Sequence, residues 1–195
     1  TIGSTTAIKE VESLKPGEYA IFENSEIAKY IYWDINFSNK KSSTFNNLKE
    51  DVYNLLDNSV NLRLRSDFEV SSYFSGGLDS SILMYLLDKK NKDTNFYSLT
   101  FNEKFYDESD FQLDLYNQLN IKNKNIVNVD YSDIGKIFPE IIYHCEQPIF
   151  RTAPAPLYLL SQKVNNNNCK VVMTGEGADE IACGYDLFKE IKFRN

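Results

Sequence analysis

Two short stretches of this 195-residue chain combine residue types suited to holding a nucleotide's phosphates. The first is Ser75-Gly76-Gly77-Leu78-Asp79-Ser80-Ser81, which follows the alternating run Glu69–Phe74 and precedes the apolar pattern Ile82–Leu87. A strand that turns through glycines into a helix leaves backbone N–H groups unpaired at the helix start, where the dipole is positive. That combination binds anions. Glycines let the backbone approach the oxygens, and the hydroxyls of Ser75, Ser80 and Ser81 offer further donors. Asp79 would repel phosphate unless a cation lay between, which points to Mg²⁺. The second stretch, Thr174-Gly175-Glu176-Gly177-Ala178-Asp179-Glu180, again leaves a strand through glycines and carries three carboxylates in five residues. So close together, one of the three is expected to be protonated unless cations compensate, and a metal–triphosphate complex would do so. A Gly-Gly turn and a capped helix start are the bland alternatives. The pairing of both clusters favours nucleotide binding.

The elements that must position these corners can be read from periodicity. Tyr19–Phe22 and Lys29–Trp33 read as strands around the polar loop Glu23–Glu26, after a turn at Lys15-Pro16-Gly17-Glu18. Two strands bury no core of their own. Residues 38–44 form a polar linker. From Phe45 a helix is expected with Leu48, Val52, Leu55, Leu56 and Val60 facing inward. Strands are then expected at 69–74, 95–101, 124–129 and 170–173. Between them come a helix over 107–119 with Phe111, Leu115 and Leu119 inward and a helical stretch broken at Pro139. That stretch has Ile134, Ile137, Phe138, Ile141 and Ile142 as core. A helix over 156–164 follows, packed through Leu157 and Leu160. Strands alternating with helices predict an α/β fold, a parallel sheet with flanking helices. Ligands of such sheets bind at the carboxyl ends of the strands, the edge that carries both glycine corners.

Composition narrows the classes. The chain is 42% hydrophobic and 25% charged, with no apolar run long enough to span a membrane. Its net charge of −7 argues against general nucleic-acid binding, yet a local glycine nest and Mg²⁺ can still accept ATP. Cys145, Cys169 and Cys183 are widely spaced and odd in number, which fits neither a disulfide framework nor a zinc site. With no basic and apolar leader at the start, a cytoplasmic location is expected.

The two clusters also resemble a known family. Ser75–Ser81 is similar to the pyrophosphate loop of the N-type ATP pyrophosphatases, and Thr174–Tyr185 to the second signature of the asparagine synthetase branch. Glu146–Tyr158 resembles the segment that precedes that signature, and Asp186–Glu190 its continuation. Leu14–Tyr19 and Tyr32-Trp33 resemble the closing strands of the glutaminase domain such enzymes carry. The resemblance implies an adenine nucleotide alpha hydrolase-like fold. Residues 1–37 would be a remnant of an N-terminal nucleophile glutaminase domain and 45–195 an ATP-binding synthetase domain short of its C-terminal part. It implies ATP and Mg²⁺ as cofactors and aspartate amidation through an acyl-adenylate with glutamine-derived ammonia. It also implies a glutaminase domain in the full-length protein, and it admits a homodimer. Another carboxylate as acceptor, or a nucleotide-binding fragment without catalysis, are the rival readings.

Carried over by position, Ser75, Gly76, Gly77, Asp79 and Ser80 would cradle pyrophosphate, and Asp79 and Asp179 would hold Mg²⁺. Tyr73, Thr100, Thr174 and Gly175 would line the nucleotide, and Glu176 would act as base toward the attacking amine. The chain departs from the family in Thr1 where the glutaminase has its nucleophilic Cys, in Cys183, and in Asn123-Lys124 where His is common. The family's further lysine lies beyond Asn195. Outside the motifs, Arg151 could bind a substrate carboxylate or phosphate or form a surface salt bridge. His144, the single histidine, is expected to be structural, Asp107-Glu108 a helix cap, and Trp33 a packing residue between domains.

Overall fold

The structure is a computed structural model that describes residues 3–36, 38–105 and 107–194, the side chains of 191–193 excepted. Thr1, Phe37 and Asn195, which bound the expected segments, therefore lie outside the described residues. Strands β1 (Glu18–Glu23) and β2 (Glu26–Ile31) form an antiparallel hairpin in a sheet of their own. The turn is tighter than the expected four-residue loop, because Asn24 and Ser25 both take positive φ, the backbone twist that closes a two-residue hairpin. Tyr32 and Trp33 fall outside the strand and remain exposed. Neither strand contains a buried residue.

The main sheet is parallel and four-stranded, built from β3 (Val70–Tyr73), β4 (Phe96–Phe101), β5 (Lys124–Val129) and β6 (Val171–Met173). Its spatial order is β5-β4-β3-β6, with Ser72 opposite Phe96 and Val70 opposite Val171. From β3 the chain steps to β4 and β5 in one direction, then returns to add β6 on the other side of β3. The helices divide accordingly. Val60 of α1 (Phe45–Arg63), Met84, Leu86 and Leu87 of α2 (Leu78–Lys90) and Tyr116 of α3 (Ser109–Gln118) pack with Val70, Phe74, Phe96 and Met173. Leu160 and Val164 of α5 (Pro154–Asn166) pack with Tyr97 on a second cluster that includes Tyr73, Leu99 and Val127. Successive strand residues thus feed opposite layers, as the two-residue side-chain period requires. Each fully buried apolar side chain contributes about 1.5–3 kcal/mol of burial.

Helix ends are set locally. The Thr44 hydroxyl accepts from the Asn47 N–H at the start of α1. Asp130 and Asp133 form a reciprocal capping box on α4 (Tyr131–Cys145), and Pro154 occupies the first turn of α5. Pro139 does not break α4, which runs through it. Its one missing N–H costs a single bond, and α4 packs beside α5 with Ile141 buried at 2% exposure.

Four expected core faces are corrected. On α4 only Ile141 of the expected core is buried, and Ile142 is exposed. Of the α1 stripe only Val60 is buried, while Val52 and Leu55 are exposed. On α3 Phe111 points to solvent, and the buried side chains are Gln112 and Tyr116. Leu157 of α5 is exposed, whereas Ala155, Pro156 and Leu160 are buried. In each case the neighbouring layer accepts only the narrow arc of the helix that touches it, and polar demand beneath it can outrank apolarity.

Candidate active site

The sheet order puts the chain's direction reversal between β3 and β6, and both glycine corners leave from those two strands. In open α/β sheets the crevice outside such a reversal is where ligands bind. The corners are in contact. The backbone of Gly175 lies against the first turn of α2, so that a Cβ built there would come 3.3 Å from the Asp79 Cβ and 3.4 Å from the Ser80 nitrogen. Only a glycine lets the two turns close to this distance without a shift.

The first corner is held by its own hydroxyls. The Ser80 hydroxyl donates to the Gly77 carbonyl at 3.1 Å and accepts from the Ser75 N–H at 3.2 Å, with the Ser75 hydroxyl 3.0 Å away. The Gly77 N–H donates to Ser75 Oγ, and the Ser81 hydroxyl donates to the Gly77 carbonyl at 2.7 Å. Ser75, Ser80 and Ser81 therefore shape the loop first and offer remaining valences to a ligand second. Gly77 is the N-cap of α2 and supplies no side-chain cap to the helix start. Asp79 sits in that first turn, where the dipole favours a carboxylate by about 0.3–1 kcal/mol.

A cavity of about 350 Å³ opens above the two corners. Tyr73, Ser75, Gly77, Asp79 and Ser80 line it from the first side, and Thr174, Gly175, Glu176 and Asp179 from the second. Leu99, Phe101 and Tyr97 form part of its wall. Two of the expected nucleotide residues stand differently. Gly76 lies beneath the loop against α3, and the Thr100 hydroxyl donates across the sheet to Asn128 Oδ1 at 3.1 Å, leaving its neighbours Leu99 and Phe101 as the wall. A strand can point only alternate residues at one face.

Of the three clustered carboxylates, Glu180 is not one that takes up a proton near neutrality. The Tyr185 hydroxyl donates to Glu180 Oε1 at 2.7 Å and holds that carboxyl below its ordinary value. The tyrosine is pushed up to about 12, by this hydrogen bond first, then by loss of water contact, and by the charges of Glu180, Asp179 and Glu176. The pair joins α6 (Ala178–Ala182) to the turn before α7 (Asp186–Arg194) on the cavity rim. It went unread in the sequence. A tyrosine five residues after a glutamate carries no helical-spacing signal, and only the left-handed turn at Cys183 folds the chain back.

For Mg²⁺ the donor set fits. Among the described residues no group of three or more His, Cys, Asp or Glu side chains could hold a metal by itself. Asp79 and Asp179 on one cavity offer two hard oxygen ligands, the pattern by which Mg²⁺ is bound jointly with phosphates rather than in an all-protein cage.

A second cavity, about 990 Å³, adjoins the first and shares Phe101 and Glu108 with it. Arg151 lines it together with Asn102, Asp130 and the apolar Val129, Ile134 and Phe150. Among the described residues Arg151 has no carboxylate within salt-bridge distance, so the surface ion pair considered for it is not formed. His144 is exposed, 3.9 Å from Glu140 and tilted against Tyr158, and it lines neither cavity.

Comparison with known proteins gives a consistent picture. Residues 51–195 match the family described as Asparagine synthase. The chain is similar to asparagine synthetase [glutamine-hydrolyzing] 1 of Bacillus subtilis, 27% identical over 187 residues covering 95% of this chain and 29% of that protein. It is 30% identical to the amidase chyE of Penicillium rubens over 96% of this chain and 31% of that protein. With asparagine synthetase B [glutamine-hydrolyzing] of Escherichia coli it shares 27% identity over 92% of this chain and 35% of that protein. The chain spans about a third of the length of these curated relatives.

Proposed function

Since the chain belongs to the asparagine synthase family, we propose that it carries the ATP-using site of an amide-forming ligase. The observation that carries this reading is the contact of the two glycine corners over one cavity, with Asp79, Asp179 and Glu176 all on its lining. In this reading a substrate carboxylate oxygen attacks the α-phosphorus of ATP and pyrophosphate leaves. Ammonia then attacks the acyl-adenylate, AMP leaves, and an amide remains. Ser75, Gly76, Gly77 and Ser80 hold the departing pyrophosphate through the loop and the start of α2. Tyr73, Thr174 and Gly175 flank the nucleotide, with Thr100 acting from the strand behind. Asp79 and Asp179 would hold Mg²⁺, which supplies charge neutralisation on the phosphates. Glu176 accepts the proton that the attacking amine must lose, a task that needs a carboxylate within reach of the adenylate and not engaged elsewhere. The neighbouring Glu180 is already occupied by Tyr185.

The acceptor favoured by the relatives' names is aspartate, with glutamine as the nitrogen source through a glutaminase domain of the whole protein. A second acceptor class is favoured by one specific observation. The Arg151 cavity is continuous with the wall of the first and is far roomier and more apolar than aspartate requires. A carboxylic acid with an apolar body, its carboxylate or a second acidic group paired with Arg151, would fill it. Substrate-dependent ATP–pyrophosphate exchange by the full-length protein, screened over aspartate and larger carboxylic acids, tests both. Exchange with aspartate supports the first, and exchange only with larger acids supports the second. Absence of exchange with every acid overturns the adenylation reading.

A further inference from the structure

Strand β4 continues past its pairing with β3, which ends at Tyr73 opposite Tyr97. The Phe74 N–H still reaches the Tyr97 carbonyl at 2.8 Å. Carbonyls two residues apart on a strand face the same edge, so the Leu99 carbonyl points to the β3 side where no strand remains to meet it. Gln112 of α3 fills that gap. Its Nε2 donates to the Leu99 carbonyl at 2.9 Å and, with its second hydrogen, to the Ser75 carbonyl at 2.9 Å. The side chain is 2% exposed and lines the first cavity.

The bond to Ser75 has a directional consequence. The Ser75–Gly76 peptide is trans and planar, so its N–H points opposite to its C=O. With the carbonyl anchored on Gln112, the Gly76 N–H is turned away from α3. Gly76 itself has φ +95°, and a Cβ there would meet Gln112 Cγ at 3.2 Å and the Glu108 carbonyl at 3.5 Å, so α3 closes one side of the residue. Packing alone does not account for a glutamine here. Its Oε1 is buried with no partner among the described residues, a destabilising feature that an apolar side chain of the same shape would avoid.

We propose that Gln112 is a positioning residue for the phosphate loop: by anchoring the Ser75 and Leu99 carbonyls it aims the Gly76 N–H at the anion the loop takes. This rests on the reading of that loop as a phosphate site. Gln112→Met keeps the volume and removes both donors. Calorimetry on the full-length protein compares its binding of ATP, pyrophosphate and adenosine with wild type. The expected result is a Kd for ATP and for pyrophosphate raised roughly tenfold, the worth of one hydrogen bond to a charged group, with adenosine affinity unchanged. Unchanged pyrophosphate affinity, or an equal loss for adenosine, overturns the positioning role while leaving the phosphate site standing. Wild-type protein that binds neither ATP nor pyrophosphate overturns both. Should Gln112→Met fail to fold, glycine-selective ¹⁵N labelling of wild type carries the test. Saturating pyrophosphate shifts the Gly76 amide resonance and adenosine does not; a Gly76 resonance indifferent to pyrophosphate overturns the inference.

Discussion

Gly175 and Asp79, 96 positions apart in sequence, lie so close that a Cβ on Gly175 would come 3.3 Å from the Asp79 Cβ. This contact makes one cavity of two loops, and the chemistry proposed for the protein depends on it.

Filling that space should separate the loops. In Gly175→Ala the new Cβ stands 3.3 Å from the Asp79 Cβ, tighter than an ordinary contact, so α2's first turn must give by a few tenths of an ångström. Overpacking of this kind costs about 1–3 kcal/mol. The expected outcome is a modest fall in Tm together with a weaker ATP interaction, measured by thermal unfolding and calorimetry on the same preparation. ATP affinity equal to wild type would show that the contact does not shape the site.

Asp79→Asn and Asp179→Asn each remove one of the two cavity-lining carboxylates proposed to hold Mg²⁺. Each should abolish Mg²⁺-dependent ATP binding while leaving unfolding nearly unchanged, since neither side chain belongs to the core. Calorimetric titrations with and without Mg²⁺ check this. Undiminished binding in either variant removes that residue from the metal assignment.

Glu176→Gln separates the two halves of the reaction. Adenylation needs no proton acceptor at this position, so ATP–pyrophosphate exchange should persist. Amide formation should fall by about 10²–10⁴-fold, the usual worth of a general base. Exchange and amide formation falling together would instead place Glu176 in nucleotide binding.

The Tyr185–Glu180 pair predicts a pH signature of known sign. Glu180 titrates below its ordinary 4.5, so its contribution is present above that pH and is lost as acid protonates it. Tyr185 titrates at about 12 instead of 10, so its contribution is present below pH 10 and is lost as pH rises toward 12. Tyr185→Phe should return the Glu180 carboxyl toward 4.5, followed by NMR titration of glutamate carboxyl resonances. The pair is exposed, so stability near pH 7 should hardly change. A Glu180 titration unaltered by the substitution would show that the hydrogen bond is not made in solution.

Much of the molecule was legible from local chemistry. The alternation of strands with amphipathic helices determines a parallel α/β sheet, because crossovers of that length admit little else. The two glycine corners announce themselves, since positive φ and close backbone approach demand a residue type that the sequence displays directly. The edge on which both corners lie also follows from strand polarity alone. What the sequence could not determine is which helical arc each layer accepts. Phe111 is apolar and reads as inward, yet Gln112 is buried in its place, because two carbonyls left over where β4 outruns β3 require a donor. Which strand ends are left over depends on register and strand length across the sheet, and no periodicity within α3 records it. The same holds for β6 returning beside β3: the meeting of Gly175 with Asp79 is a property of strand order, settled only when the whole sheet is assembled.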